Sequence, residues 1–186
     1  MRMQTEIVLS GFGGQGALFA GQVLAYTALE AGLHVTWIPS YGPEMRGGTV
    51  HCTVIVSEDE IGSPIVRHPS AALVMNIPSL ERYEPLLRPS GVLVVNASLV
   101  DRVPQRQDLT SLMIPATEVA ESIGEKRLAN MVLLGAYLQA APTFTLEAVG
   151  AALGRHIAEH RRQLIPANLE ALRRGAELAR AQTVAA

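Results

Sequence analysis

A glycine-rich loop near the start of the chain constrains the fold more than any other feature. The apolar run at residues 7–9 predicts a buried strand, and Gly-Phe-Gly-Gly-Gln-Gly at 11–16 follows it. A helical pattern then continues to about Ala31, with Gly32 where a helix C-cap belongs. Glycines let backbone N–H groups approach a ligand closely, and the N-terminus of the following helix favours an anion. The order strand, glycine loop, helix therefore predicts an α/β fold with a candidate ligand loop.

The spacing G-x-G-x-x-G is also the fingerprint of dinucleotide-binding folds, which adds a further requirement. Those folds place an acidic residue at the end of the second strand, where it binds a ribose hydroxyl. Here the second predicted strand, 33–39, runs into Ser40, and neither an acid nor an arginine stands at that point. The missing acid argues against an NAD- or flavin-binding enzyme, which stays open as an alternative. A second alternative is that the glycines only permit a tight turn.

A second loop, Tyr-Gly-Pro-Glu-Met-Arg-Gly-Gly at 41–48, follows the second predicted strand. Pro43 fixes one backbone angle while the glycines free the others, so the loop can present Glu44 and Arg46 on a stiff arch. The alternative is an ordinary connection with a solvated Glu–Arg pair. If the strands before the two loops are parallel neighbours, both loops leave the carboxyl edge of one sheet, where open α/β sheets bind ligands.

The rest of the chain supplies further strands and three apolar helix stripes. Strands are predicted at 50–56, 71–75, 91–95 and 112–114, with another candidate at 65–66, and helices follow from residue 128 onward. We therefore predict an α/β fold: a three-layer, Rossmann-like, mixed or mostly parallel sheet with helices on both faces. Residues 1–186 are predicted to form a single domain, with 40–70 as a candidate small lobe.

Two asparagines end predicted core strands. Asn76 and Asn96 either face a ligand or cap turns. Together with the two loops they complete the predicted set of ligand- or interface-binding residues: Gly11, Gly13, Gly14, Gln15, Gly16, Tyr41, Glu44, Arg46, Gly47, Gly48, Asn76 and Asn96.

Composition excludes several classes of function. The net charge is −2 and aromatic residues make up only 4% of the chain, which argues against a nucleic-acid partner. No apolar run is long enough for a membrane span, and the N-terminus lacks the pattern of a signal peptide. The single cysteine, Cys52, excludes a disulfide or a cysteine-ligated cluster within this chain, and the histidines form no ligand pattern, so no metal site is predicted. These features favour the cytoplasm.

Three segments carry a resemblance to a known family. The loops at 11–16 and 41–49 and the segment Val-Ile-Val-Ser-Glu-Asp-Glu-Ile-Gly-Ser-Pro at 54–64 resemble the gamma subunit of 2-oxoacid:ferredoxin oxidoreductases, and the likeness continues through 130–136 and 168–171. The chain is also similar to the small subunit of indolepyruvate oxidoreductases.

The resemblance implies a non-autonomous subunit of an enzyme that oxidatively decarboxylates a 2-oxoacid to an acyl-CoA and reduces ferredoxin. Thiamine diphosphate, Mg²⁺ and iron–sulfur clusters would then lie in partner subunits (alpha, beta and, where present, delta), with coenzyme A as co-substrate. No cofactor is expected on this chain alone. A pure scaffold, whose loops touch no ligand, is the remaining alternative.

Overall fold

The computed structural model describes residues 3–41 and 48–184. The strands are β1 (Gln4–Phe12), β2 (His34–Tyr41), β3 (Thr49–Ser57), β4 (Ala71–Val74), β5 (Val92–Asn96) and β6 (Thr110–Ile114). The helices are α1 (Ala17–Glu30), α2 (Ile77–Tyr83), α3 (Ala116–Ile123), α4 (Ala129–Ala140), α5 (Leu146–His156) and α6 (Ile165–Val184). Short 3₁₀ segments occupy Glu84–Leu86, Lys126–Leu128 and Glu159–Leu164.

The six strands form one mixed sheet in the order β2-β3-β1-β4-β5-β6. Strand β3 is antiparallel to both β1 and β2, while β1, β4, β5 and β6 run parallel to one another. The condition considered from the sequence, that β1 and β2 are parallel neighbours, is not met, because β3 lies between them. Since both are antiparallel to β3, β1 and β2 still point the same way, and the loops that follow them leave the same edge.

Helices cover both faces of the sheet, as predicted, but unequally. Side chains of β1 alternate between two clusters, with Ile7 and Leu9 facing α1 and α4 and Val8 facing α2. The larger cluster also contains the apolar sides of α5 and α6, whereas the smaller one depends on α2 and the residues just after it. The α/β, three-layer prediction is confirmed.

The candidate strand at residues 65–66 is absent from the structure. Ile65 is 77% exposed, so an apolar pair there has no sheet or core to pack against. Thr49–Ser57, by contrast, is a central strand of the main sheet, so this part of the 40–70 segment belongs to the sheet rather than to a lobe. That the whole chain is a single domain stays a prediction.

The edge strand β6 is closed by a side chain of the last helix. The Gln182 amide accepts from the backbone N–H of Met113 at 3.2 Å and donates to the Met113 carbonyl at 2.7 Å. It thus makes the two hydrogen bonds that a neighbouring strand would make at this position.

Helices α4 and α6 pack closely through two glycines. A Cβ added at Gly135 would overlap the carbonyl of Leu172, and one at Gly175 would overlap the carbonyl of Val132. Only glycine allows the two backbones to approach this closely. This contact fixes the beginnings of α4 and α6 beside the carboxyl edge of the sheet.

Candidate functional site

A cleft of about 480 Å³ opens beside the glycine loop, at the carboxyl edge of the sheet. One wall is the loop 12–16 together with the first turn of α1. The opposite wall comes from the residues just before and at the beginning of α4 and α6, and the strand ends Tyr41 and Val50 complete it. The cleft therefore borders the glycine loop, and its walls come from distant parts of the chain.

The conformation of the first loop requires glycine at two positions. Gly14 has a φ of 96° and Gly16 a φ of 81°, both in the left-handed region. Helix α1 begins immediately after Gly16, which has no side chain to cap the first turn. The first turn of α1 lines the cleft, so the positive end of the helix dipole faces this space.

The two predicted loops meet at this edge. The N–H of Gly13 donates to the carbonyl oxygen of Gly48 at 3.2 Å, which joins the first loop to the last residue of the second. The exposed ring of Tyr41, where the second loop begins, lines the cleft. The predicted residues Glu44, Arg46 and Gly47 lie outside the described residues.

The Gln15 side chain braces the first loop against strand β4. Its Oε1 accepts the N–H of Phe12 at 2.5 Å, and its Nε2 donates to the carbonyl of Met75 at 3.3 Å. A Cβ at Gly11 would stand 2.6 Å from that Oε1 and 2.9 Å from the Met75 Cβ. Gly11 therefore makes room for the Gln15 amide in the crevice between the ends of β1 and β4.

A second amide, on Asn130, braces the other end of the loop. Its Nδ2 donates to the carbonyl of Gly16 at 2.9 Å, and its Oδ1 accepts the N–H of Met131 at 2.9 Å. A Cβ at Gly16 would stand 2.5 Å from the Asn130 Nδ2. Sequence reasoning missed this role of Asn130, because its partner lies 114 residues away and no local pattern indicates the contact.

The far wall of the cleft carries a net positive charge. Arg127 binds Glu125 through two hydrogen bonds, Nε to Oε1 at 2.9 Å and Nη2 to Oε2 at 2.7 Å. The bonds from Arg127 lower the pKa of Glu125 to about 2. Arg161 also lines the cleft, and no carboxylate among the described residues forms an ion pair with it. The Arg161 guanidinium can therefore bind an anion in the cleft without first breaking an ion pair with one of these carboxylates.

One buried acceptor also lines the cleft at the beginning of α6. Asn168 is 3% exposed, and its Nδ2 donates to the carbonyl of Leu164 at 2.7 Å. Its Oδ1 has no hydrogen-bond partner in the part of the chain that the structure describes. The cleft thus combines donors and cations with one unused amide oxygen.

The two predicted asparagines at the strand ends occupy different surroundings. Asn76 caps α2 by accepting the N–H of Ser79 at 2.8 Å, and Asn96 donates to the Oγ1 of Thr117 at 3.0 Å. Both are almost fully buried, and neither lines the cleft. Asn76 thus acts as a helix cap in this structure, while its Nδ2 and the Asn96 Oδ1 find no partner among residues 3–41 and 48–184.

Two classes of site have no basis in the described residues. No group of three or more His, Cys, Asp or Glu side chains at 3–41 and 48–184 is arranged to hold a metal ion. No helix in these ranges combines the length and the apolar character needed to cross a membrane.

Comparisons with known proteins agree with the fold and with the sequence motifs. The family model described as pyruvate ferredoxin/flavodoxin oxidoreductase matches residues 6–178. Over 95% of the present chain, it is 34% identical to the ketoisovalerate oxidoreductase subunit VorA of Methanothermobacter marburgensis. The chain spans only 37% of the length of that relative.

A shorter relative and a solved structure match the chain over most of both lengths. The 2-oxoglutarate synthase subunit KorC of the same organism is 36% identical over 81% of this chain and 85% of its own length. In structure, the chain is similar to the gamma subunit of a keto/oxoacid ferredoxin oxidoreductase from Geobacter sulfurreducens, with a TM-score of 0.81, 30% identity, and coverage of 95% of this chain and 99% of that one.

Proposed function

This chain belongs to the pyruvate ferredoxin/flavodoxin oxidoreductase family, and from that premise we propose that it is the gamma component of a multi-subunit 2-oxoacid:ferredoxin oxidoreductase. The complex oxidatively decarboxylates a 2-oxoacid to an acyl-CoA and passes the electrons to ferredoxin. The observation that carries this proposal is the match to a separate subunit, KorC, over most of both chains.

The residues of this chain support the placement of the redox cofactors in partner subunits. An iron–sulfur cluster is held by several cysteine thiolates, whereas the chain has one cysteine, Cys52, which is fully buried in β3. Burial raises the pKa of its thiol to about 12, so it is a poor ligand and a poor nucleophile. This supports clusters held by partner subunits, and we propose that thiamine diphosphate and Mg²⁺ also lie in the alpha, beta and, where present, delta partners.

The role of this chain within the complex is to hold an anionic group in the cleft. Helix α1 turns an uncapped N-terminus toward the cleft, and Arg161 supplies a guanidinium on the opposite wall. The candidate anions are the phosphates of coenzyme A, the carboxylate of the 2-oxoacid and a carboxylate of a partner subunit. Arg46, on the second loop, is predicted to add a further guanidinium.

Removal of the cleft guanidinium tests this role. The complex is assembled with Arg161→Ala, and assembly, KM for coenzyme A and KM for the 2-oxoacid are measured separately. A charge-assisted bond contributes roughly 1.5–3 kcal/mol. Loss of Arg161 should therefore either weaken assembly or raise the KM of the ligand that it binds, by about tenfold or more. Arg161→Lys should rescue it only in part, because the planar fork is lost.

A matched control comes from α6. Arg180→Ala also removes one guanidinium, but that side chain hydrogen-bonds Gln139, away from the cleft. A defect in coenzyme A binding alone assigns the cleft to coenzyme A, and an assembly defect assigns it to an interface. If Arg161→Ala and Arg46→Ala leave assembly and both KM values like those of Arg180→Ala, the cleft holds no anion and this role is wrong.

The purified chain alone should show no turnover of 2-oxoacid, coenzyme A and ferredoxin, because it lacks cluster ligands. Activity in a preparation free of other subunits would contradict the assignment as a non-autonomous component. Restored turnover on mixing with the partner subunits is the positive control.

A further inference from the structure

The first loop lies at the point where the crossovers of the sheet diverge. Strands β1 and β4 are parallel neighbours, yet α1 after β1 packs on one face and α2 after β4 packs on the other. In doubly wound folds the ligand binds in the crevice that opens at such a switch point. The contents of this crevice therefore decide where a ligand can sit.

In this chain the side-chain amide of Gln15 fills the crevice. Gln15 bridges the two strand ends by its bonds to the Phe12 N–H and the Met75 carbonyl. The first glycine of the motif, Gly11, leaves the space that this side chain occupies. A nucleotide approaching the usual position would have to displace an amide that already satisfies backbone groups on both strands.

The third glycine of the motif makes room for the other amide. At Gly16 the space that a Cβ would take is occupied by Asn130, which donates to the Gly16 carbonyl just before α1 begins. In dinucleotide-binding folds the third glycine serves close packing of helix against strand. Here the same residue type admits a side chain from α4, so the loop is held at both ends.

We infer that Gln15 and Asn130 are positioning residues that clamp the glycine loop. Gln15 closes the crevice at the switch point to nucleotides, and the two amides together hold Gly14 and the first turn of α1 toward the cleft on the α4 and α6 side. The clamp rests on the proposed function for the identity of what binds in the cleft, but its own geometry does not depend on that identity. It makes the motif a preorganised anion loop rather than a dinucleotide site.

The test replaces each amide by an apolar side chain of similar size in the full chain. Gln15→Met and Asn130→Leu keep the bulk and remove the hydrogen bonds. Gln22→Met is the matched control, because the half-buried Gln22 side chain donates to the hydroxyl of Tyr26 at 3.2 Å and does not line the cleft. Hydrogen exchange of the amides of residues 13 and 15 is followed by NMR. Both clamp variants should exchange at least tenfold faster there, while amides of the central strand β4 keep their protection.

Inorganic pyrophosphate is the probe for the second readout. Chemical shifts in the loop should report binding to the wild-type chain and to Gln22→Met, with affinity at least fivefold weaker in both clamp variants. Unchanged exchange at residues 13 and 15 in Gln15→Met and Asn130→Leu would overturn the clamp. Faster exchange without any pyrophosphate binding by the wild-type chain would uphold the clamp and refute the anion-binding role of the cleft.

Discussion

Substitution of Gly16 by alanine should destabilise the chain for two separable reasons. The first is the backbone: the φ of 81° at Gly16 lies in the left-handed region, which costs a residue with a Cβ about 1–2 kcal/mol. The second is the neighbour: the new Cβ would stand 2.5 Å from the Asn130 Nδ2. The amide must move, and its hydrogen bond to the Gly16 carbonyl, worth about 0.5–1.5 kcal/mol, is lost. The free energy of unfolding should therefore fall by about 1.5–3.5 kcal/mol.

Urea unfolding at neutral pH measures this loss, and Gly32→Ala is its control. Gly32 has a φ of 73° and nothing within 4 Å of the position of an added Cβ. The free energy of unfolding of Gly32→Ala should therefore fall only by the cost of the left-handed backbone, about 1–2 kcal/mol. In a chain that already carries Asn130→Ala, adding Gly16→Ala should cost only the backbone part, because neither the clash nor the hydrogen bond with Asn130 is then left to count. Equal losses in Gly16→Ala and Gly32→Ala would refute the claim that the Asn130 amide fills the space beside the loop.

The remaining predictions concern packing, pH, thiol chemistry and nucleotide binding. Gly175→Ala should lower the free energy of unfolding by about 1–3 kcal/mol, because the added Cβ would overlap the backbone of α4. Gly154→Ala is the control and should not be destabilising, because nothing lies within 4 Å of a Cβ added at that position of α5. Arg127 lowers the pKa of Glu125 to about 2 from its ordinary 4.5, so this carboxylate stabilises the fold above pH 4.5 and loses that effect as the pH falls toward 2. Urea unfolding at several pH values should show a smaller acid-dependent loss in Glu125→Gln. Cys52, with its pKa raised to about 12, should resist a disulfide reagent such as DTNB in the folded chain and react after unfolding; a rapid native reaction would contradict its burial. Calorimetry should detect no NADH binding, and saturable micromolar binding would reinstate the dinucleotide alternative.

Local signals in the sequence predicted much of the fold. The apolar runs before Gly11 and Asn96 became β1 and β5, and Gly32 adopts the left-handed conformation at the end of α1, as a glycine there indicates. In each case the determining interactions lie within a few residues along the chain.

Strand order could not be obtained in the same way. The β-branched run that became β3 indicates a strand, but its alternation is the same whether it runs parallel or antiparallel to its neighbours. Only the pairing of Leu9 with Cys52 on one side and of Pro39 with Cys52 on the other shows that β3 separates β1 from β2.

The position of part of the candidate site could be predicted, whereas its binding role stays a prediction. Gly14 and Gly16 belong to a motif visible in the sequence, and the structure places both beside the cleft. Asn130 and Arg161 reach the cleft through the packing of α4 and α6, which no local pattern encodes. Such long-range contacts are fixed by packing and have to be observed in the fold.

The Gln182 amide on β6 has a consequence for the behaviour of shortened chains. A version of this protein that ends before Gln182 would keep its apolar core, yet would present the free N–H and C=O of Met113 to the solvent. Two such copies could extend their sheets into one another, edge to edge. The last turn of α6 thus protects the edge of β6 from self-association, and removing it would leave that edge free to pair with a second copy.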